Sequence, residues 1–460
     1  MTRRFLWTLI LVPTWAVAGD PPAVDHVALA RRAWAITDVV AAHGIDPPPR
    51  GDLLAAGMTA LLHPTDGRLP ADVRARLATV ADADGLAAVL RSVWPADAAA
   101  DAFLQGLLPR RPGEPEDGDR LHTAADLKIR EQIAQNRYVG TGIQTRFRSE
   151  LGYSQIIMSF VGGPARRAGA RAGDLIVAVD GVDMKGKPMM TVVQALRGEA
   201  GTDVTMTVRQ PDGEATRDLK MTRAVVPFET TLGYRRNGEA GWQYRPDPAL
   251  PIAYLRLGTV NVSTLHDLRR VEKRLTADGC RALILDLRRC IAAELDHVAL
   301  VADGLIDSGV LWRVRDAKGR VTERTADRDA LFRDWPIVAL IDDTTAGTGV
   351  FALAAALQDR GRAICVGQPT PPAGAVRSLL PLPDGGAVTL TTAVLERSKG
   401  AGEAARRVLP DHVVETPSSR QLAVEAWQRA QENPDADPNA SPPDDALLAR
   451  ALELLKVARP

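Results

Sequence analysis

The run from Leu340 to Arg377, LIDDTTAGTGVFALAAALQDRGRAICVGQPTPPAGAVR, constrains this chain most. A short apolar strand, Pro336 to Leu340, feeds a turn and a helix, Val350 to Arg360, and a second strand, Ala363 to Gly367, ends in a proline-rich turn. Strands of this buried type alternating with helices specify an α/β layer architecture. The same layout puts one residue on the first turn of a helix and another on the turn after the second strand, a frame suited to a nucleophile and its base. A hydroxyl needs that base, because its own pKa leaves almost none ionised at neutral pH, and a desolvated lysine amine is one solution. The frame here contains neither a serine nor a lysine at those points.

Other segments repeat the α/β pattern. IAYLRL (Ile252 to Leu257), ALILDL (Ala282 to Leu287) and PIVALI (Pro336 to Ile341) read as buried strands, and Thr264 to Ala277 and Ala293 to Ile306 as the helices between them. Gly385-Gly386 precedes a further strand, Ala387 to Ala393.

Together with GGPARRAGARAGDLIVAVDG (Gly162 to Gly181), LRGEAGTDVTMTVR (Leu196 to Arg209) and AALQDRGRAICVGQPT (Ala355 to Thr370), these strings resemble the carboxyl-terminal processing, or tail-specific, proteases of the S41 peptidase family. The likeness runs from about Asp126 to about Val414. It implies a multidomain α/β protein: a helical N-terminal region, a PDZ-like β-rich domain and an S41 core of ClpP/crotonase-like type. It implies serine-lysine proteolysis without cofactor or metal.

Carried over position by position, the active site of that family is not conserved in type. The nucleophilic serine of its S/T-A-S-A-S-E string falls at Gly347 when counted from Asp342 and at Thr348 when counted back from Gln358-Asp359. The lysine of its G-K-G turn falls at Ala373, and the glutamine that orients the lysine falls at Arg377. The N-N-P-G-G loop that supplies oxyanion N–H groups corresponds to Arg289-Cys290-Ile291-Ala292-Ala293, where side chains replace glycines. Loss of nucleophile or base alone costs such hydrolases on the order of a millionfold in turnover. Two substitutes are conceivable in the sequence: Cys290 with His297, and Lys399 as a relocated base in the basic stretch LERSKGAGEAARR (Leu395 to Arg407).

The PDZ-like domain is expected at residues 138–225. Gly140, Thr141, Gly142 and Ile143 form a loop whose backbone N–H groups suit a peptide carboxylate, and Ile143 to Phe147 form the strand edge to which a peptide adds. Met189, Val192, Val193 and Leu196, at helical spacing, are the candidate groove residues of a helix from Pro188 to Leu196, some of them facing the core instead.

The rest of the chain frames these domains. Arg3-Arg4, an apolar run from Phe5 to Trp15 and Ala16-Val17-Ala18 read as a signal peptide over residues 1–18, with export to the periplasm or beyond after cleavage near Ala18. The run is too short for a permanent anchor, and no later stretch suits a transmembrane helix. Residues 22–125 form a helical region, with apolar spacing at Val27 to Ala42, Leu53 to Leu62 and Ala99 to Leu108, then a charged linker at Arg110 to Asp119. Residues 226–417 form the protease-like core, and residues 418–460 a helical tail with a flexible Pro/Asp/Asn linker, Asn433 to Asp444. Lys+Arg and Asp+Glu both number 57, so no net charge draws the chain to nucleic acid or anionic membrane. With three cysteines, Cys280, Cys290 and Cys365, at least one thiol is unpaired.

The preferred reading is an exported pseudoprotease that binds C-terminal or unfolded peptides as an adaptor or regulator, its partners extending to an active protease or to its own copies through the N-terminal helices. A second is an active endopeptidase using Thr348. A third is a structural envelope scaffold.

Overall fold

The computed structural model describes residues 24–62, 69–95, 100–109, 118–127, 138–226, 228–238, 241–292 and 294–457. The signal-peptide segment and residues 110–117 of the charged linker lie outside them. The chain divides into two compact units, residues 1–122 with 378–390 and residues 123–377 with 391–460.

The first unit is helical: α1 (His26–His43), α2 (Arg50–Leu62), α3 (Ala71–Thr79), α4 (Ala83–Val93) and α5 (Ala100–Gly106). Asp25 starts α1 by accepting from the N–H groups of Val27 and Ala28, which would otherwise lack partners. Ile36, Leu54, Leu86, Leu90 and Phe103 build its core, joined by Leu382, Val388 and Leu390. Helices α2 and α5 approach so closely that a Cβ on Gly106 would lie 2.5 Å from that of Ala60. The spacing argument located three helical segments and missed α3 and α4. In α3 only Val73 and Leu77 are buried, too few apolar positions to declare a face.

In the second unit a PDZ-like sheet comes first, with strands β1 (Ile143–Arg148), β2 (Tyr153–Ser159), β3 (Leu175–Val179), β4 (Asp203–Arg209) and β5 (Thr216–Thr222) hydrogen-bonded in that order. β1 is an edge strand, paired on one side to β2. Helices α6 (Pro164–Arg167) and α7 (Met189–Leu196) accompany the sheet. Val192 and Leu196 are buried at 0% and 2% exposure with Ile156, Ile176 and Val208. Of the four candidate groove residues, these two are the ones that face the domain core, and Met189 and Val193 are the half-buried pair.

A larger sheet follows, with β6 (Thr231–Leu232), β7 (Ile252–Leu257), β8 (Ala282–Asp286), β9 (Ile337–Ile341), β10 (Ile364–Gly367) and β11 (His412–Val413) in sequence order. β6 is antiparallel to β7, and all later neighbours are parallel. Side chains alternate between faces, and both faces are covered, which is why these strands read as unbroken apolar runs. Leu283, Leu285, Ile337, Ala339 and Ile341 pack with α8 (Thr264–Ala277), α9 (Leu295–Asp303) and α10 (Thr348–Asp359). Ile284, Val338, Leu340 and Val366 pack on the other face with Leu447, Leu448, Ala451 and Leu455.

Those last four residues lie on the final helix, α12 (Ala446–Val457), preceded by α11 (Ser418–Glu432). The tail is therefore not a loose tether. Asp435 pairs with Arg166 at 2.7 Å, the Asn433 amide donates to the Ile157 carbonyl at 3.3 Å, and Asp445 binds Arg288 at 2.8 Å. The basic stretch is also anchored. The strand Ala387–Arg397 ends on Arg397, whose guanidinium is buried against Asp359, and Asp359 also accepts from the Ser398 hydroxyl and the Lys399 N–H.

Candidate active site and peptide groove

The carboxyl end of β9 leads through Asp342 to Thr345 into Gly347, the residue just before α10. The Asp342 carboxylate accepts from the Thr344 N–H and hydroxyl at 2.9 and 2.6 Å, and the Thr345 hydroxyl accepts from the Asp342 N–H at 3.0 Å. Gly347 has φ of +92°, a conformation that strains any L side chain. Thr348 opens the helix and is half-buried.

The fold brings several of the aligned positions together. The Thr348 hydroxyl donates to the Ala375 carbonyl at 2.7 Å and receives the Gly374 N–H at 3.4 Å, so the turn holding Ala373 lies against it. Arg377 follows on the strand Ala375–Pro381, two residues from Ala375 and hence on the same face. On the other side of α10, a Cβ on Gly349 would lie 2.2 Å from the Ala292 carbonyl oxygen. Thr348 thus lies against the turn at Ala373 and its neighbour Gly349 against Ala292, with the Thr348 proton on a carbonyl that cannot act as a base.

The loop itself is closed by hydrogen bonds. The Arg288 N–H donates to Asp286 at 2.9 Å, that of Arg289 to the Thr344 hydroxyl at 3.1 Å, that of Cys290 to the Leu287 carbonyl at 3.3 Å and that of Ile291 to the Gly258 carbonyl at 3.1 Å. Arg289 holds φ of +58°, unusual for a residue with a side chain. Ala293 lies outside the described residues.

Beneath the loop is a buried polar network that sequence reading missed. Both carboxylate oxygens of Asp286 accept from the Arg288 guanidinium, and Oδ2 also accepts from the Tyr254 hydroxyl at 2.6 Å and the Gln428 amide at 3.1 Å. Burial alone would raise the Asp286 carboxyl, but the Arg288 charge and hydrogen bonds outweigh it and hold it below the usual range. Burial, then the Asp286 charge, push the Tyr254 hydroxyl well up. Asp286 and Arg288 stand two residues apart in ILDLRR, but their partners Gln428 and Asp445 are far along the chain, and no local signal links them.

Cys290 and Lys399, each named from the sequence in a substitute site, stand apart from the hydrogen bonds of Thr348. Burial pushes the Cys290 thiol up to about 12, so it is not a thiolate, and it packs in the apolar core. Lys399 lies beside Asp359, at the far end of α10 from Thr348, about 16 Å along the helix. Cys280, Cys290 and Cys365 are all buried and unpaired with one another. Among the described residues no cluster of acidic, histidine or cysteine side chains is placed to hold a metal.

In the PDZ-like domain, the Thr141 carbonyl accepts from the Ala165 N–H at 2.8 Å and the Gly142 carbonyl from the Phe160 N–H at 2.9 Å. A trans peptide points its N–H opposite to its carbonyl, so the N–H groups of Gly142 and Ile143 turn away from α6 and β2. Gly142 has φ of +76°, and a Cβ there would crowd Val226 at 3.1 Å. Gly140 and Thr141 are buried, and Ile143 is half-buried at the start of the open edge.

Residues 251–414 match the family model for peptidase family S41, and residues 161–210 that for the PDZ domain. A carboxy-terminal-processing protease of Bartonella bacilliformis is 28% identical over 299 residues, covering 64% of this chain and 65% of that protein. A chloroplastic C-terminal processing peptidase of Tetradesmus obliquus is 30% identical over 275 residues, covering 59% of each. The chain thus spans less than two thirds of the length of these relatives. A solved photosystem II D1 C-terminal processing protease aligns over 90% of this chain and 99% of its own, with 24% identity and a TM-score of 0.43. Among the described residues no helix is long and apolar enough to cross a membrane. The chain is thus similar to peptidase family S41 through its residues 251–414 and to the PDZ domain through its residues 161–210.

Proposed function

We propose that this protein is an exported S41 family member that binds the C-termini of peptides or protein tails through its PDZ domain without cutting them, serving as an adaptor or regulator in the cell envelope. The observation that carries this reading is the state of Thr348: its hydroxyl donates to a backbone carbonyl, and Ala373 offers no base beside it. The occupied N–H groups of Arg289, Cys290 and Ile291, three of the five positions of the loop at residues 289–293, support the same reading, since an oxyanion needs donors that are unoccupied and aimed at it. Peptide binding is assigned to Gly140, Thr141, Gly142 and Ile143 for the carboxylate, to β1 for strand addition, and to Met189 and Val193 for an apolar side chain. Domains at residues 138–225 and 226–417 carry the two roles.

Strand addition plus one or two buried side chains supports micromolar binding, about −8 kcal/mol. The test mixes purified protein with an unstructured reporter ending in apolar residues and follows binding by calorimetry and chain length by mass spectrometry. Binding with an intact reporter is the expected result. A second reading, an active endopeptidase with Thr348 as nucleophile, is favoured by the protease names of the relatives. It requires a shortened reporter.

A further inference from the structure

The edge strand β1 presents two different faces. Ile143, Thr145 and Phe147 stand opposite Ser159, Ile156 and Ser154 of β2, all three buried, so they share the core face of the sheet. Gln144, Arg146 and Arg148 alternate onto the outer face. There the Arg148 guanidinium donates to Glu150 at 2.6 Å and to the Gln155 side chain at 2.7 Å. Arg146 is exposed, its cross-strand neighbour is Gln155, and no acidic side chain is paired with it among the described residues.

The end of β1 away from the carboxylate loop gathers further cations. The Gly186 N–H donates to the Gly152 carbonyl at 2.7 Å, which ties the segment before α7 to the turn after β1. Lys185 and Lys187 in that segment are exposed, and a Cβ on Gly152 would lie 3.7 Å from the Lys185 side chain. Two acids lie among them: Glu150, paired with Arg148, and Asp183, which accepts the Lys185 N–H at 2.9 Å. Across residues 146–152 and 183–187 four cations thus face two acids, an excess of positive charge where an added strand would pass.

Resting on the peptide-binding reading above, we propose that this groove selects C-termini that carry an acidic side chain at the fourth residue from the end, with Arg146 as the residue that reads it. A peptide whose carboxylate sits at Gly142 and Ile143, the amino end of β1, runs antiparallel to that strand. Its last residue then lies beside Ile143 and, one step per residue, its fourth from last beside Arg146. Residues side by side in such a ladder point to the same face. The third from last shares the face of Thr145 and turns toward Met189 and Val193, and the fourth from last shares the outer face with Arg146. An opposite charge there attracts and a like charge repels. Residues further upstream pass Arg148, Lys185 and Lys187, where a second acid gains less because water and salt screen it.

The experiment uses the whole purified chain and, as probe peptide, Gly-Ser-Glu-Val-Ala-Ala with an uncapped C-terminus, beside its counterpart Gly-Ser-Lys-Val-Ala-Ala. Calorimetry at low salt should give about fivefold tighter binding of the glutamate peptide, the span between an attractive and a repulsive cross-strand pair, and the difference should shrink as salt is raised. Arg146→Gln, at an exposed position, should bring the two peptides close together, and Arg146→Glu should reverse their order. Equal affinity of both peptides for the wild type overturns the charge selection while sparing C-terminal binding, and so does a glutamate preference that survives unchanged in Arg146→Glu. Absence of binding heat with either peptide in the wild type overturns the peptide-binding reading and the selection with it.

Discussion

Two loops in this protein, the one at Thr141 and Gly142 and the one from Arg288 to Ile291, have their peptide groups satisfied from opposite sides. In the PDZ loop the carbonyls of Thr141 and Gly142 are tied inward, which turns the adjoining N–H groups outward. In the core loop the N–H groups of Arg288, Arg289, Cys290 and Ile291 are the tied partners. The contrast teaches that a backbone anion site is decided less by which residues line it than by which half of each peptide the protein satisfies for itself. Glycine permits the first arrangement at Gly142, whereas Arg289 holds its left-handed conformation with its N–H on the Thr344 hydroxyl and its guanidinium facing Glu425.

The sharpest way to break the contrast is to remove the support of the core loop. Asp286→Ala leaves the nearly buried Arg288 with Asp445 alone and strips Tyr254 and Gln428 of an acceptor. Breaking a buried pair of this kind costs about 3–5 kcal/mol, read from the midpoint of urea unfolding. A loss under about 1 kcal/mol would mean that the network is ornamental.

Next in size is the PDZ loop. Capping the probe peptide as its amide removes the charge that the Gly142 and Ile143 N–H groups would meet, and charged hydrogen bonds contribute about 2 kcal/mol, or roughly thirtyfold in affinity. Equal affinity of acid and amide in a calorimeter would place the carboxylate elsewhere.

The pH dependence is smaller and also local to the core loop. The unfolded Cys290 thiol ionises near 9.0, and burial raises it to about 12 in the fold. The native state thus holds the proton that the unfolded state releases. Stability from this group is complete below pH 9 and falls as pH rises toward 12, by at most about 1.4 kcal/mol per unit. Urea midpoints at pH 8 and pH 10 should separate less in Cys290→Ala than in the wild type. An identical separation would show that the thiol is not shielded.

Much of the large sheet was legible because strands covered on both faces lose their polar alternation, so ALILD and IVALI stood out as apolar runs. The frame around Thr348 was legible for the same reason: a strand, a helix and a strand follow one another within a few dozen residues. The tail was misread because Asn433 to Asp444 has a tether's composition, while its anchors, Arg166, Arg235 and Arg288, lie far away in sequence. The groove helix was half legible. Helical spacing identified its apolar stripe, but spacing alone does not say that Val192 and Leu196 face the core, whereas Met189 and Val193 stay partly exposed.

The smallest expected effect on stability comes from Thr348→Ala. It removes a hydrogen bond from a half-buried hydroxyl, worth about 1 kcal/mol.

The same substitution gives the most direct test of catalytic silence. Wild type and Thr348→Ala are incubated side by side with an unfolded protein bearing an apolar C-terminus, and its fragments are counted over time. The account predicts no cleavage above the protein-free background in either sample. Fragments from the wild type that disappear in Thr348→Ala would contradict it, since the threonine would then be working with a base that the geometry at Ala373 and Ala375 does not provide.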